Sequence, residues 1–239
     1  MINKILRIIN ILEVIVLILL LSFSTTKIVT WNKENIETKA LITELNTIKD
    51  TQNDTLNINE LKSKNNDTIG WIKVNNTNID YPLVQSKDNN YYLTHNYNKK
   101  KTSAGWIFLD KRNNKDLSNK NNIIYGHSRK DKSMFGTLKY TLNKNWYKNK
   151  DNLIIKITTE TKKYNYEVFS IYTIEKENYY LQTDFTTKKE YKTFLNILKE
   201  RSIYDFKTDI ENTTSILTLS TCYKDNQRVV VHAKLIKNA

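Results

Sequence analysis

A single cysteine, a single proline and four glycines are spread over 239 residues. One cysteine excludes a disulfide within the chain and a cysteine-built zinc site. So little glycine and proline excludes the collagen-like and low-complexity classes. No basic cluster carries interleaved stacking aromatics in a recognisable module, so nucleic acid is not expected as a partner. The formal net charge is nonetheless +13, which by itself suits nucleic acid, an anionic membrane or an anionic polymer. The excess is mostly lysine, spread along the chain among many Asn and Ile, and reads as the codon bias of an AT-rich genome. What is present is a folding composition, 39% hydrophobic and 11% aromatic with fifteen tyrosines. The length allows one ordinary domain plus an appendage.

The appendage is amino-terminal. Ile5 to Phe23 is largely apolar, with Asn10 and Glu13 interrupting its first half; its run from Val14 to Phe23 is unbroken but for Ser22, and Lys4 and Arg7 precede that run. Nineteen helical residues at about 1.5 Å each reach about 28 Å, close to one bilayer core. The Ser-Thr-Thr-Lys that follows has no Ala-x-Ala cleavage site, which favours an uncleaved signal anchor over a cleaved signal. The early basic residues favour a cytoplasmic start, although Lys27 and Lys33 lie on the other flank. Residues 1–26 are therefore expected to be a single-pass anchor, with the rest outside the cytoplasm. Residues 27–67 are expected to be a helical extension. Leu41, Leu45 and Ile48 make one stripe of a helix over Glu34 to Asp50, and residues 51–67 read as a loop or a second short helix.

From Thr68 the pattern changes to short strands: Ile69–Val74, Ile79–Val84, Ala104–Leu109, Asn122–His127, Asn152–Thr158, Lys163–Ile174, Ser215–Cys222 and Arg228–Ile236. Thr187-Lys-Lys-Glu190 is a capping-box pattern, followed by Tyr191, Phe194, Leu195 and Leu198 at helical spacing. The fold class is mainly β: residues 68–239 form an eight-stranded closed or nearly closed barrel, with a helix between the sixth and seventh strands.

Cys222 ends the strand Ile216-Leu-Thr-Leu-Ser-Thr-Cys and shares its parity face with Ser220 and Thr218. That face is polar, so the cysteine need not be a small core filler, although a buried inert thiol is the plain alternative. If the last two strands pair as a hairpin, Arg228 faces Cys222 with Cβ atoms about 5 Å apart. A guanidinium there can stabilise a thiolate or a developing oxyanion. A cysteine nucleophile usually needs an acid or base partner. His232 lies about 13 Å along the last strand from Arg228 and reads as structural or exposed. His95 sits in a polar Asn- and Lys-rich stretch, as a surface residue. His127 ends a strand before a polar loop, the position that catalytic residues favour.

Thr218-Leu-Ser-Thr-Cys222, Arg228 on the next strand and Tyr125-Gly-His127 upstream together resemble the sortase signature. Gly70-Trp-Ile, Ile79-Asp-Tyr-Pro-Leu-Val-Gln85, Asn90-Tyr-Tyr-Leu93 and Gly105-Trp-Ile-Phe-Leu-Asp110 are similar to class B members. The helix between strands six and seven and the helical extension also point to class B. The resemblance covers about residues 68 to 236. It implies a sortase-type barrel and a cysteine transpeptidase with Cys222, His127 and Arg228 as its catalytic residues. Surface proteins with a C-terminal sorting signal and a peptidoglycan amine are the partners it implies. No cofactor or metal is expected, and no acidic cluster suggests the calcium site of some class A members. Ser220, Tyr125 and Thr221 are candidates for lining the substrate groove; a plain strand serine and a packing tyrosine are the alternatives for the first two. The loop Lys176 to Phe185 is expected to help read the sorting motif. Class B members often carry an acid soon after the cysteine, whereas here Tyr223 follows and Asp225 is the nearest acid.

Two other functions remain in competition. A hydrolytic cysteine peptidase usually places Cys before His, the reverse of this order. A membrane-tethered module binding anionic wall polymers would use the basic charge and the tyrosines, and would not need the thiol.

Overall fold

Why the short strands close on themselves is apparent in the computed structural model, which describes residues 2–50, 55–175, 177–223 and 226–236. The barrel strands are β1 (Thr68–Val74), β2 (Asp80–Val84), β3 (Phe108–Leu109), β4 (Asn121–Tyr125), β5 (Ile154–Thr159), β6 (Lys163–Glu175), β7 (Ile216–Tyr223) and β8 (Gln227–Ile236). Among the described residues they close in the order β8-β6-β5-β1-β2-β3-β4-β7, with β7 returning to β8. Closure protects most strand edges; β2 and β3 meet only at Val84 and Phe108. Two neighbouring pairs are parallel, β2 with β3 and β4 with β7; the others are antiparallel.

Period-two alternation fills the interior. Ile72, Leu83, Ile157, Leu217, Leu219 and Val231 are buried in one central cluster. On β6, Tyr164, Tyr166 and Val168 face inward as their alternation predicts. A bulge opposite His232/Ala233 then shifts the phase. Beyond it Ile171 faces in, while Phe169, Tyr172 and Ile174 face out into a second cluster. Helix α5 (Lys188–Glu200) covers that outer face with Tyr191, Phe194, Leu195 and Leu198. Its start is capped as the sequence predicts: Thr187 accepts from the Glu190 N–H at 3.1 Å, and Glu190 accepts from the Thr186 N–H at 2.9 Å. Each buried large side chain contributes about 1.5–3 kcal/mol.

Four further helices precede α5 in the chain: α1 (Ile2–Asn46), α2 (Ile58–Lys64), α3 (Tyr91–Thr94) and α4 (Lys144–Lys148). The expected helix over 34–50 is the last part of α1, ends at Asn46, and is continuous with the apolar segment. Asn35, Thr38, Leu41 and Leu45 are buried where α1 docks on the barrel, and residues before Glu34 stand clear of it. The expected strand Ala104–Leu109 is ordered as a strand only at Phe108–Leu109. Gly105 interrupts it, with φ +58°, a conformation that suits glycine. Within residues 51–67, of which 51–54 lie outside the described residues, Thr55–Leu56 pairs with Lys49–Asp50 in a short ribbon and α2 follows it.

His232 is structural and fully buried rather than exposed. Its Nε2 meets the Tyr172 hydroxyl at 2.8 Å and its Nδ1 the Thr218 hydroxyl at 2.9 Å. Burial pushes its pKa down to about 3. The unfolded chain therefore binds this proton below about pH 6.5, whereas the folded chain does not until about pH 3. Stability is expected to fall as pH drops below 6.5, at up to about 1.4 kcal/mol per unit. Urea melts between pH 7 and 4.5 check this: His232→Gln should flatten the slope, and an unchanged slope would contradict it.

Candidate active site

Strand β7 carries the thiol and its pairing on both sides sets the site. Leu217 and Leu219 point into the barrel, so Thr218, Ser220 and Cys222 belong to the outer face. The outer face of β7 is covered as far as Ser220, which is buried, and opens at Cys222, which is exposed. On one side, the β7–β8 hairpin pairs Cys222 directly with Arg228, placing their Cβ atoms about 4.5–5.5 Å apart. On the other side, β4 runs parallel to β7 with Tyr125 opposite Ser220. The Thr221 hydroxyl donates to the Gly126 carbonyl at 2.7 Å and continues that contact past the end of β4. His127 therefore leaves its strand alongside Cys222, with neighbouring strands about 4.8 Å apart. His127 and Arg228, 101 positions apart in the chain, flank one thiol because β7 lies between β4 and β8.

The half-buried His127 ring is oriented by the α3 segment. Its Nε2 lies 2.7 Å from the Leu93 carbonyl oxygen. A carbonyl only accepts, so Nε2 holds the proton and Nδ1 is the nitrogen left for proton transfer. Gly105 makes room for the ring: a Cβ there would lie 2.8 Å from His127 Cδ2 and 2.6 Å from the Tyr92 carbonyl oxygen.

Arg228 is held from below. One of its terminal nitrogens donates to the Tyr180 hydroxyl at 3.0 Å, and that hydroxyl lies 2.9 Å from the Ser220 hydroxyl. Tyr180 is fully buried, in the loop between β6 and α5. Asn121 fixes this loop by donating to the Tyr180 and Gln182 carbonyls at 3.0 and 2.8 Å. Among the described residues the guanidinium thus rests on a neutral phenol; Asp225 lies outside them. Tyr125, half-buried on the face shared with Ser220, donates to Asp110 at 2.9 Å. Burial works to raise the Asp110 carboxyl, but the hydrogen bonds from Arg112 and Tyr125 outweigh it and hold the group below the usual carboxylate range.

Cys222, His127, Arg228 and Ser220 are thus brought together, with Tyr125 beside them. Thr221 points the other way and ties β7 to Gly126. His95 stands apart, stacked on Tyr91 with ring centroids 4.1 Å apart. Tyr180, Asn121 and the Leu93 carbonyl complete the site without having been singled out in the sequence. Tyr180 lies in the loop flagged for recognition, but nothing local marks it as the partner of Arg228.

A thiol at an open strand end lies between a histidine on one side and an arginine on the other; comparison with known proteins gives the family of the chain that carries it. A model of the sortase domain matches residues 72–236. The chain belongs to the sortases, class B. Sortase B of Listeria monocytogenes is 39% identical over 176 residues, covering 70% of this chain and 69% of that protein. Sortase B of Staphylococcus aureus is 35% identical over 173 residues, 71% of this chain and 70% of that one. The crystal structure of sortase B from Bacillus anthracis superposes with a TM-score of 0.76 at 36% identity, over 86% of this chain and 99% of that one. As a class B sortase the chain is a cysteine transpeptidase that transfers surface proteins to peptidoglycan through an acyl-enzyme. Among the described residues, α1 is the one helix long and apolar enough to cross a membrane, with a mean hydropathy of 2.5 over its most apolar stretch.

Proposed function

We propose that Cys222 is the nucleophile of this sortase, His127 its acid and base, and Arg228 the group that stabilises the oxyanion. The thiolate of Cys222 attacks the carbonyl carbon of the threonine in a C-terminal sorting motif. Negative charge develops on the carbonyl oxygen and is met by the Arg228 guanidinium. The thiol proton has passed to His127 Nδ1, making the ring an imidazolium, and the C–N bond breaks as Nδ1 gives that proton to the departing amine, leaving a thioester on Cys222. An amino group of a peptidoglycan precursor or cross-bridge then attacks the thioester. His127 takes its proton, and the Cys222 thiolate leaves. Ser220 and Tyr180 keep Arg228 in place, and Tyr125 forms part of the groove wall. The observation that carries this reading is the pairing of β7 with β4 and β8, which flanks one exposed thiol with both other groups.

The experiment is a partition assay with fluorogenic sorting-motif peptides, with and without an amine acceptor. The reading expects ligated product that rises with amine concentration at the expense of hydrolysis. Hydrolysis untouched by any amine would favour the peptidase reading instead.

The apolar stretch Ile5 to Phe23 of α1 anchors the enzyme in the membrane, with the barrel on the outer face where both substrates arrive. Cys222 is the sole cysteine, so a membrane-impermeant maleimide is expected to label the enzyme on intact cells. Labelling only after lysis would place the barrel inside.

A further inference from the structure

Far from the thiol, the outer face of β1, β5 and β6 carries a concentration of lysines around a small recess. Register places Lys73 opposite Lys156, and Lys156 opposite Asn165, in one row across the three strands. The next row is Trp71, Thr158 and Lys163. Lys49, from the ribbon after α1, closes the top, with its ammonium 5.6 Å from the Trp71 ring centroid. The recess has a volume of about 140 Å³. One carboxylate, Asp80, serves two of these ammoniums, at 3.1 Å from Lys49 and 3.7 Å from Lys73. Lys156 has no ion-pair partner among the described residues. Like charges directly opposite across an antiparallel pair are destabilising. The fold accepts that cost here around a concave, amide- and hydroxyl-lined floor.

We propose that this recess binds phosphodiester groups of a soluble anionic polymer, holding the enzyme against the wall while its substrates exchange at the opposite face. Lys73 and Lys156 provide point charges on the anion, and Thr158 and Asn165 provide neutral donors beside them. The same chemistry exists in lipid headgroups. The recess lies beyond the end of α1, however, and Phe23 is about 35 Å back along the helix at 1.5 Å per residue. That is several times the distance over which an anionic bilayer acts at physiological salt, about 8 Å. Meeting the polymer outside the cell rests on the membrane orientation proposed above; the binding itself does not.

The test uses the full chain in nanodiscs of zwitterionic lipid, titrated calorimetrically with poly(glycerol phosphate). Lys73→Gln/Lys156→Gln should weaken binding by about tenfold or more. Lys139→Gln/Lys144→Gln, which removes the same charge from exposed sites elsewhere, should weaken it by less than about twofold. Acyl-enzyme formation should be unchanged in the recess variant, which separates this outcome from misfolding and from any failure of the catalytic reading. Equal losses in the two variants would reduce the effect to bulk charge and overturn the site. No binding by wild type would overturn it as well. Polymer displaced when the discs contain phosphatidylglycerol would identify a lipid headgroup as the occupant and overturn the assignment to a soluble polymer.

Discussion

Cys222→Ala is expected to abolish turnover of sorting-motif peptides, lowering kcat by on the order of 10³-fold or more. In the proposed mechanism the Cys222 thiolate forms the covalent intermediate, and the sequence holds no second thiol to replace it. The substitution removes a single exposed side-chain atom at the end of β7, so the melting temperature should move little. Peptide binding should survive, because the groove walls from β4, the Tyr180 loop and β8 are untouched. Steady-state kinetics with thermal melts check both halves. Retained turnover in Cys222→Ala would transfer the function to the wall-binding reading, in which the thiol has no part.

Arg228→Lys tests the other half of the chemistry and is expected to cost about 10²–10³-fold in kcat, the scale of losing one oxyanion donor. Lysine keeps the charge but not the planar fork that reaches the Tyr180 hydroxyl and the substrate at once. Tyr180→Phe complements it. Removing that hydroxyl leaves both Arg228 and Ser220 short of a partner, worth about 1–3 kcal/mol for a buried group. If Tyr180 positions Arg228, kcat falls in Tyr180→Phe while KM stays near wild type, and Tyr180→Phe costs little more when added to Arg228→Lys. A loss confined to thermal stability would make Tyr180 a packing residue only.

Part of the candidate site was legible in the chain because its parts obey local rules. The Cys222–Arg228 pair follows from one hairpin register, and α5 from a capping box with apolar spacing. What stayed hidden depended on long-range contacts. The parallel pairing of β4 with β7 brings His127 to Cys222, and nothing in either segment announces its partner. The bulge in β6 reverses which residues face out, so the second apolar cluster could not be read from alternation alone. Asn121 looks like one more asparagine in an asparagine-rich chain. Buried, it uses its amide to hold the loop that carries Tyr180. The lysines around Trp71 are scattered in sequence and adjacent only on the barrel surface.

Intact-mass spectrometry of the wild-type enzyme quenched during turnover of sorting-motif peptides tests the central claim most directly. The account predicts one added acyl fragment, mapped by peptide digestion to Cys222 and released by hydroxylamine or an amine acceptor. A folded, reduced enzyme that cleaves these peptides with no adduct on Cys222, or with an adduct on another residue, would contradict it.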